Sequence, residues 1–445
     1  MTFSSARRLG AGIVVFLSTA LAQAQSWDLG ARTSASVSKQ TEGVLKVTLE
    51  QRGRYERRTG QSFGSAPDLE SGLIRTRVGV AIKPNGWLKI TANMQDSRAP
   101  WYGVNAPNNV RDEADLFEGA FELFADRKTG FGFSAGRKML NYGDTRLIGS
   151  PQWGNLARSF DHARAYYKVK RAQVEFLFAS PVKIRNGEFN RPVLGDRVWG
   201  VYNVFPELIK KGVVEAYALR HEQNRPGGFT SGKEADGTDH LGVNTFGGRI
   251  TGPAPSGAKY VLEGALQTGR VGTARHRAAG WVTTVSRRWK VAGRTLDLLG
   301  EYKFASGSKN PADTAKTGTF DQIYASGHDK FGHQDLFGWR NIHNARSMAT
   351  LALSKSVSLN GMYDNYWLAS LRDGLYNGSG KSIARSANGT AGRHVGQETD
   401  IFLTWKYQHF TFGAGYGYLF TGQFLNNTTP GVNPSYAYLF HTYSF

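Results

Sequence analysis

Apolar and charged side chains alternate with a period of two in segment after segment of this chain, and the charges collect on one face. Leu45, Val47, Leu49 and Tyr55 share a face, while Lys46, Thr48, Glu50, Arg52, Arg54 and Glu56 share the other. Ile74, Val78, Val80 and Ile82 oppose Arg75 and Arg77. Ala163, Ala165, Tyr167 and Val169 oppose His162, Arg164, Lys168 and Lys170. Leu296, Leu298, Tyr302 and Phe304 oppose Asp297, Glu301 and Lys303, and Ile401, Leu403, Trp405 and Tyr407 oppose Thr404, Lys406 and Gln408. Alternation of this kind specifies strands with two unlike faces. A soluble sandwich would turn the charged face outward, whereas a wide membrane barrel turns apolar residues to lipid and charges to an aqueous lumen.

Connection lengths decide between the two. The pattern predicts strands near 45–57, 73–83, 87–98, 115–125, 131–138, 162–170, 172–180, 197–205, 212–222, 242–251, 258–268, 278–290, 294–304, 346–355, 357–369, 399–408, 410–421 and 435–445, which is 18 in all. Short turns follow even-numbered strands: Pro84-Asn85-Gly86, 126–130, Arg171 and 291–293. Long connections follow odd-numbered strands: 58–72, 99–114, 139–161, 223–241, 305–345 and 370–398. Short periplasmic turns and long external loops are the signature of an outer-membrane barrel. The expected fold is therefore all-β, a transmembrane antiparallel β-barrel of about 18 strands.

The two ends agree with that reading. Arg7 and Arg8 precede an apolar run from Leu9 to Leu21, and Ala22-Gln23-Ala24 fits a small-residue cleavage site. Residues 1–24 are expected to be a signal peptide, with 25–445 forming one barrel domain that begins at Gln25. The apolar run is too short to span a bilayer. At the other end Leu439, Tyr443 and Phe445 share a face, and a terminal aromatic suits a lipid-facing strand better than a soluble surface. Phe445 is the expected handle for the barrel-assembly machinery of a Gram-negative outer membrane. The chain has no cysteine, so disulfide frameworks and thiolate metal sites are excluded.

The formal net charge is +20. Such basicity ordinarily suggests nucleic acid, but an exported barrel has no access to it. The implied partners are an anionic solute inside and anionic lipid, including lipopolysaccharide, outside.

Two long connections carry a dense mixture of Gly, Asp, Asn and aromatic residues, a composition suited to loops folded on themselves. The first contains Gly136-Arg137-Lys138, Tyr142-Gly143-Asp144-Thr145-Arg146-Leu147-Ile148-Gly149-Ser150-Pro151, Trp153-Gly154-Asn155 and Arg158-Ser159-Phe160-Asp161-His162-Ala163-Arg164. The second contains Phe320-Asp321-Gln322, Gly327-His328 and Asp335-Leu336-Phe337-Gly338-Trp339-Arg340-Asn341. In these segments, and more loosely across the barrel to Gly417–Gly422, the chain resembles the alginate-export porin family. The resemblance implies a wide single-chain, monomeric pore with loops folded over its mouths and an arginine-lined constriction that passes an anionic polysaccharide outward. It needs no cofactor, metal or catalytic residue, and it implies periplasmic export partners. From the motif itself it carries over Arg137, Arg158, Asp161 and Arg164.

Physical chemistry supports arginine in that role. A polyuronate bears a carboxylate on each sugar, and guanidinium is a planar, permanently charged partner for it. Several weak sites in series let a chain enter without trapping it. Arg52, Arg54, Arg75, Arg77 and Arg164 fall on the predicted luminal face, and Asp161 is placed to orient the Arg164 guanidinium. Glu50, Glu56, Glu118 and Glu122 are positioned to neutralise part of this field. Counting from Phe131 and Phe133 puts Arg137 on the lipid side unless a bulge near Gly136 reverses the face.

Other readings stay open at this level. One is a porin for small anions such as organic acids. Another is a barrel hydrolase using Ser159, Asp161 and His162, although neighbours on a strand point to opposite faces. A third feature, the cluster of His328, Asp329, His333, Asp335 and His343, matches no recognised zinc spacing.

Overall fold

The computed structural model describes residues 30–105, 110–224 and 240–445. The expected leader, residues 1–24, lies outside the described residues.

Eighteen antiparallel strands form the wall. They are β1 (Leu45–Thr59), β2 (Leu69–Asn85), β3 (Leu88–Arg98), β4 (Asp112–Leu123), β5 (Gly130–Lys138) and β6 (Phe160–Val169). Next come β7 (Ala172–Lys183), β8 (Asp196–Pro206), β9 (Val213–Asn224), β10 (His240–Pro253), β11 (Ala258–Val271) and β12 (Ala274–Val291). The last six are β13 (Arg294–Ala305), β14 (Ile342–Ala352), β15 (Val357–Leu368), β16 (His394–Tyr407), β17 (Phe410–Thr421) and β18 (Ser435–Ser444). Each strand pairs with its neighbour, and β1 closes the ring against β18 from Glu50↔Ser444 to Thr59↔Ser435. Closure removes the sheet edges that would otherwise leave backbone groups unpaired in lipid. No described helix is long and apolar enough to cross a membrane.

Every predicted strand is present, and the differences of four or more residues lie at one end of the barrel. Strands β2, β12, β14 and β16 begin four or five residues earlier than the alternation predicts, at Leu69, Ala274, Ile342 and His394. All four starts are at the loop end. Beyond the bilayer the outer face need not be apolar, so the pattern fades while the backbone ladder continues.

At the opposite end the turns are tight. Ala292 and Gly293 both have positive φ, 48° and 75°, the arrangement of a two-residue turn whose twist matches its flanking strands. The loop end differs: residues 139–159 and 306–341 turn inward and fill that half of the lumen. Leu147, Ile148, Phe160, Phe320, Phe331, Phe337 and Trp339 are buried together there, against luminal residues such as Leu177, Val198, Leu219 and Tyr366. The outer wall exposes Val78, Phe131, Tyr167, Phe176, Leu266, Trp281 and Ile401. The barrel is thus inside out in its lower half and has a conventional apolar core in its upper half.

Candidate functional site: the luminal constriction

Register places Arg52 of β1 directly opposite Arg75 of β2. Two like charges in a cross-strand pair repel, so the fold must supply acceptors. It does so with the backbone of the first loop. Arg52 donates to the carbonyls of Gln152 at 2.9 Å and Gly154 at 2.7 Å. Arg75 donates to the same two carbonyls at 3.1 and 3.0 Å, and to Glu50 at 2.8 Å. Arg54 donates to the carbonyl of Trp153, lies over its indole at 4.5 Å and pairs with Glu56 at 2.7 Å. Arg77 reaches the Gln152 side chain at 2.8 Å and Gln95 at 2.7 Å. Asn155 completes the attachment by donating to the carbonyls of Ile74, Arg98 and Val110. The Trp153-Gly154-Asn155 motif is therefore the part of the loop that the arginine ladder grips.

Arg158 joins the two motif loops. Its guanidinium donates to the carbonyls of Gly149 at 3.0 Å, Tyr324 at 2.6 Å and Ala325 at 3.2 Å. Beside it, Ile148 and Tyr324 form a parallel bridge, with Gly149 N donating to Tyr324 O and Tyr324 N to Leu147 O. The second loop is anchored to the wall in turn. Asp321 is bonded by His221 at 2.6 Å and by Arg340 at 2.9 Å, and the Tyr324 hydroxyl donates to Asp196. Burial alone would raise the Asp321 carboxyl, but its cationic partners outweigh this and hold it below the usual range.

Below this plug the lumen keeps a less saturated basic cluster. Glu122 accepts from Lys138 at 2.5 Å and Lys89 at 3.2 Å, and lies 3.8 Å from Arg164. Arg164 also lies 3.7 Å from Glu175. Three cations share two carboxylates, and Lys89, Lys138 and Arg164 each keep 24 to 30% of their side chains open. Of the other luminal carboxylates, Glu50 and Glu56 are taken by arginines, while Glu118 accepts from Asn93 and the Met139 amide.

Two motif residues behave differently from the rest. The β5 registers with β4 and β6 run without a bulge, although Gly136 has φ +116°, so Arg137 stays on the outward face with Phe131 and Phe133. It pairs there with Asp161, opposite it in register, at 2.7 Å. The expected contact between Asp161 and Arg164 is not made, because residues three apart on a strand point to opposite faces.

The same rule separates the proposed hydrolytic trio. Asp161 faces out, His162 lies against Ser134 at 2.9 Å and the Gly136 carbonyl, and Ser159 sits at the loop junction. Of the five His and Asp residues at 328–343, His328 and His333 meet edge-on at 4.9 Å, but the set as a whole does not converge. His328 pairs with Asp335 at 2.9 Å and stacks on Trp153, whereas His343 lies on the outer face against Tyr302.

Sequence reasoning passed over Lys89, Lys138 and Glu175, all on the luminal parity of their strands. Extending the count from Ser134 to Lys138 would have found one of them.

Comparison with known proteins follows the same outline. The alginate export family matches residues 44–438. Similar solved structures from Pseudomonas aeruginosa include OccD3 (OpdP), at 13% identity and TM-score 0.61 over 90% of this chain and 91% of that one. OccK2 (OpdF) is similar at 9% identity and TM-score 0.62 over 90% and 97%. OccK2 in complex with glucuronate gives 9% identity and TM-score 0.60 over 90% and 98%. At these identities the likeness is one of fold. No curated protein matches the chain in sequence.

Proposed function

Because this chain belongs to the alginate export family and folds as an outer-membrane porin-type barrel, we propose that it is a passive conduit carrying an anionic polysaccharide, alginate or a related polyuronate, out of a Gram-negative cell. The observation that carries this reading is the excess of partly open cations around Glu122: Lys89, Lys138 and Arg164. They face the lumen below the plug and can exchange one carboxylate partner for another as a polymer slides past. Arg77 extends the same path upward. In this account Arg52, Arg54, Arg75 and Arg158 act one step back. They hold the loops that narrow the channel, and their charge is largely spent on backbone carbonyls.

Transport of this kind is diffusion down a gradient and uses no nucleophile, metal or cofactor. Direction comes from periplasmic partners that supply the polymer, and one chain makes one pore.

A second reading has its own support. A fold neighbour was solved with glucuronate, a single uronate sugar, and the plug fills the upper lumen of this barrel. A porin for small sugar acids fits both facts. Planar-bilayer recordings of the purified protein separate the readings. Block by oligouronates at concentrations where glucuronate has no effect supports the polymer conduit. Equal competition by glucuronate and no chain-length dependence rejects it.

A further inference from the structure

The turn end of the barrel carries a ring of lysines that the constriction does not use. Lys46 of β1, Lys168 of β6, Lys259 of β11, Lys290 of β12 and Lys406 of β16 stand within about four residues of their strand ends on that side. Each lies on the luminal parity of its strand. Lys46 continues the series of Arg52 and Arg54, Lys168 that of Arg164, and Lys259 that of Glu263. Lys290 continues Thr284, and Lys406 continues Glu398 and Asp400. Outward-facing neighbours such as Leu262, Trp289, Leu403 and Trp405 are exposed apolar residues.

Among the described residues none of the five has a carboxylate at ion-pair distance. Lys168 donates to the Ala125 carbonyl at 3.3 Å and Lys290 to the Thr295 hydroxyl at 2.7 Å. Asp126 and Asp297 sit at the same end but are occupied, by Lys83 at 2.8 Å and Arg288 at 2.7 Å. Glu122, Glu175 and Glu215 lie within three residues of their strand ends on this side and are engaged by Lys138, Arg164 and Arg249. Glu207 in the β8–β9 turn and Glu42 ahead of β1 are further acidic groups here.

We propose that these lysines form a cationic collar at the periplasmic mouth that captures the carboxylates of a polyuronate chain and feeds it toward Glu122. The proposal rests on the polymer-conduit reading above and adds to it a capture site and a preferred side of loading. Spacing around the rim suits a flexible polyanion, which touches several weak charges at once, better than a compact small anion. Parity favours a luminal solute over headgroups. The headgroup side has its own cation in Arg287, which lies over Trp289 at 3.9 Å on the outer wall.

The test uses the full-length protein in planar bilayers at low and high salt, with oligouronate added to one side at a time. Orientation is assigned by protease cutting of the long loops. A variant with Lys→Gln at 46, 168, 259, 290 and 406 is compared with the parent. The expected result is faster block from the turn side in the parent, by roughly tenfold at low salt. In the variant that advantage is lost, while block from the loop side is unchanged. Equal rates from both sides in the parent, or an unchanged turn-side rate in the variant, overturns the collar and leaves the conduit standing. No block from either side overturns both. If the five substitutions change only binding to phosphatidylglycerol vesicles, the lysines serve headgroups and the collar is rejected. Arg287→Gln is the reference for that outcome.

Discussion

Arg158 and Tyr324 are 166 residues apart in sequence, yet the guanidinium of one donates to the backbone carbonyl of the other at 2.6 Å. That bond, with the adjoining Ile148↔Tyr324 bridge, makes two separate loops into one plug. Whatever passes through the barrel must pass beside it.

Removing this latch should loosen the plug without unfolding the wall. Arg158→Gln leaves the carbonyls of Gly149, Tyr324 and Ala325 short of a charged donor, which costs about 2 kcal/mol of loop docking. The expected outcome is frequent transitions to a larger conductance in single-channel records. Cutting of residues 139–159 by added protease should also be faster. Unchanged current noise would mean that the plug is held elsewhere.

The arginines that grip the loop and the cations that line the lower lumen should respond differently. Arg75→Gln should raise current noise, because Gln152 and Gly154 lose a donor. Arg164→Gln combined with Lys138→Gln should leave the noise alone and, on the proposed conduit, lower the anion-to-cation permeability ratio by roughly threefold at low salt. Reversal potentials in a KCl gradient measure this. A selectivity loss confined to Arg75→Gln would reverse the assignment.

Arg137 and Asp161 provide a control on the outside of the wall. Their pairing is partly exposed on one side, so a double-mutant cycle should return a coupling of about 1 kcal/mol in urea unfolding. Neither single substitution should move the reversal potential.

Acid should open the plug, and His333 sets the window. Burial, aided by the neighbouring His328, lowers its pKa to about 4 from an ordinary value of 6.5. Between these values the undocked loop binds more protons than the docked one. Docking is therefore strongest above pH 6.5, weakens as pH falls toward 4 and levels off below that. Current noise should rise over this interval, and His333→Gln should flatten the response. A profile that His333→Gln leaves unaltered would assign the pH dependence to another group.

Much of this architecture is legible in local pattern. All 18 strands follow from alternation, because a strand with lipid on one side and water on the other repeats its chemistry every second residue. The same parity rule places Arg52, Arg54, Arg75, Arg77 and Arg164 inward, and it already held Arg137 on the outer face. Where prediction fell short, at Leu69, Ala274, Ile342 and His394, the strands continue beyond the zone in which lipid enforces the pattern.

What each luminal charge does was not legible. Arg52 and Arg164 look alike from the sequence, both inward-facing arginines on alternating strands. They differ because residues 152–154 fold back against one and not the other, an arrangement that depends on contacts about 100 residues apart. The chain alone determined which side chains face water, since that depends only on neighbours along the strand. Tertiary structure decided which of those charges are consumed by backbone carbonyls and which stay partly open to the lumen, since that depends on where two distant loops come to rest.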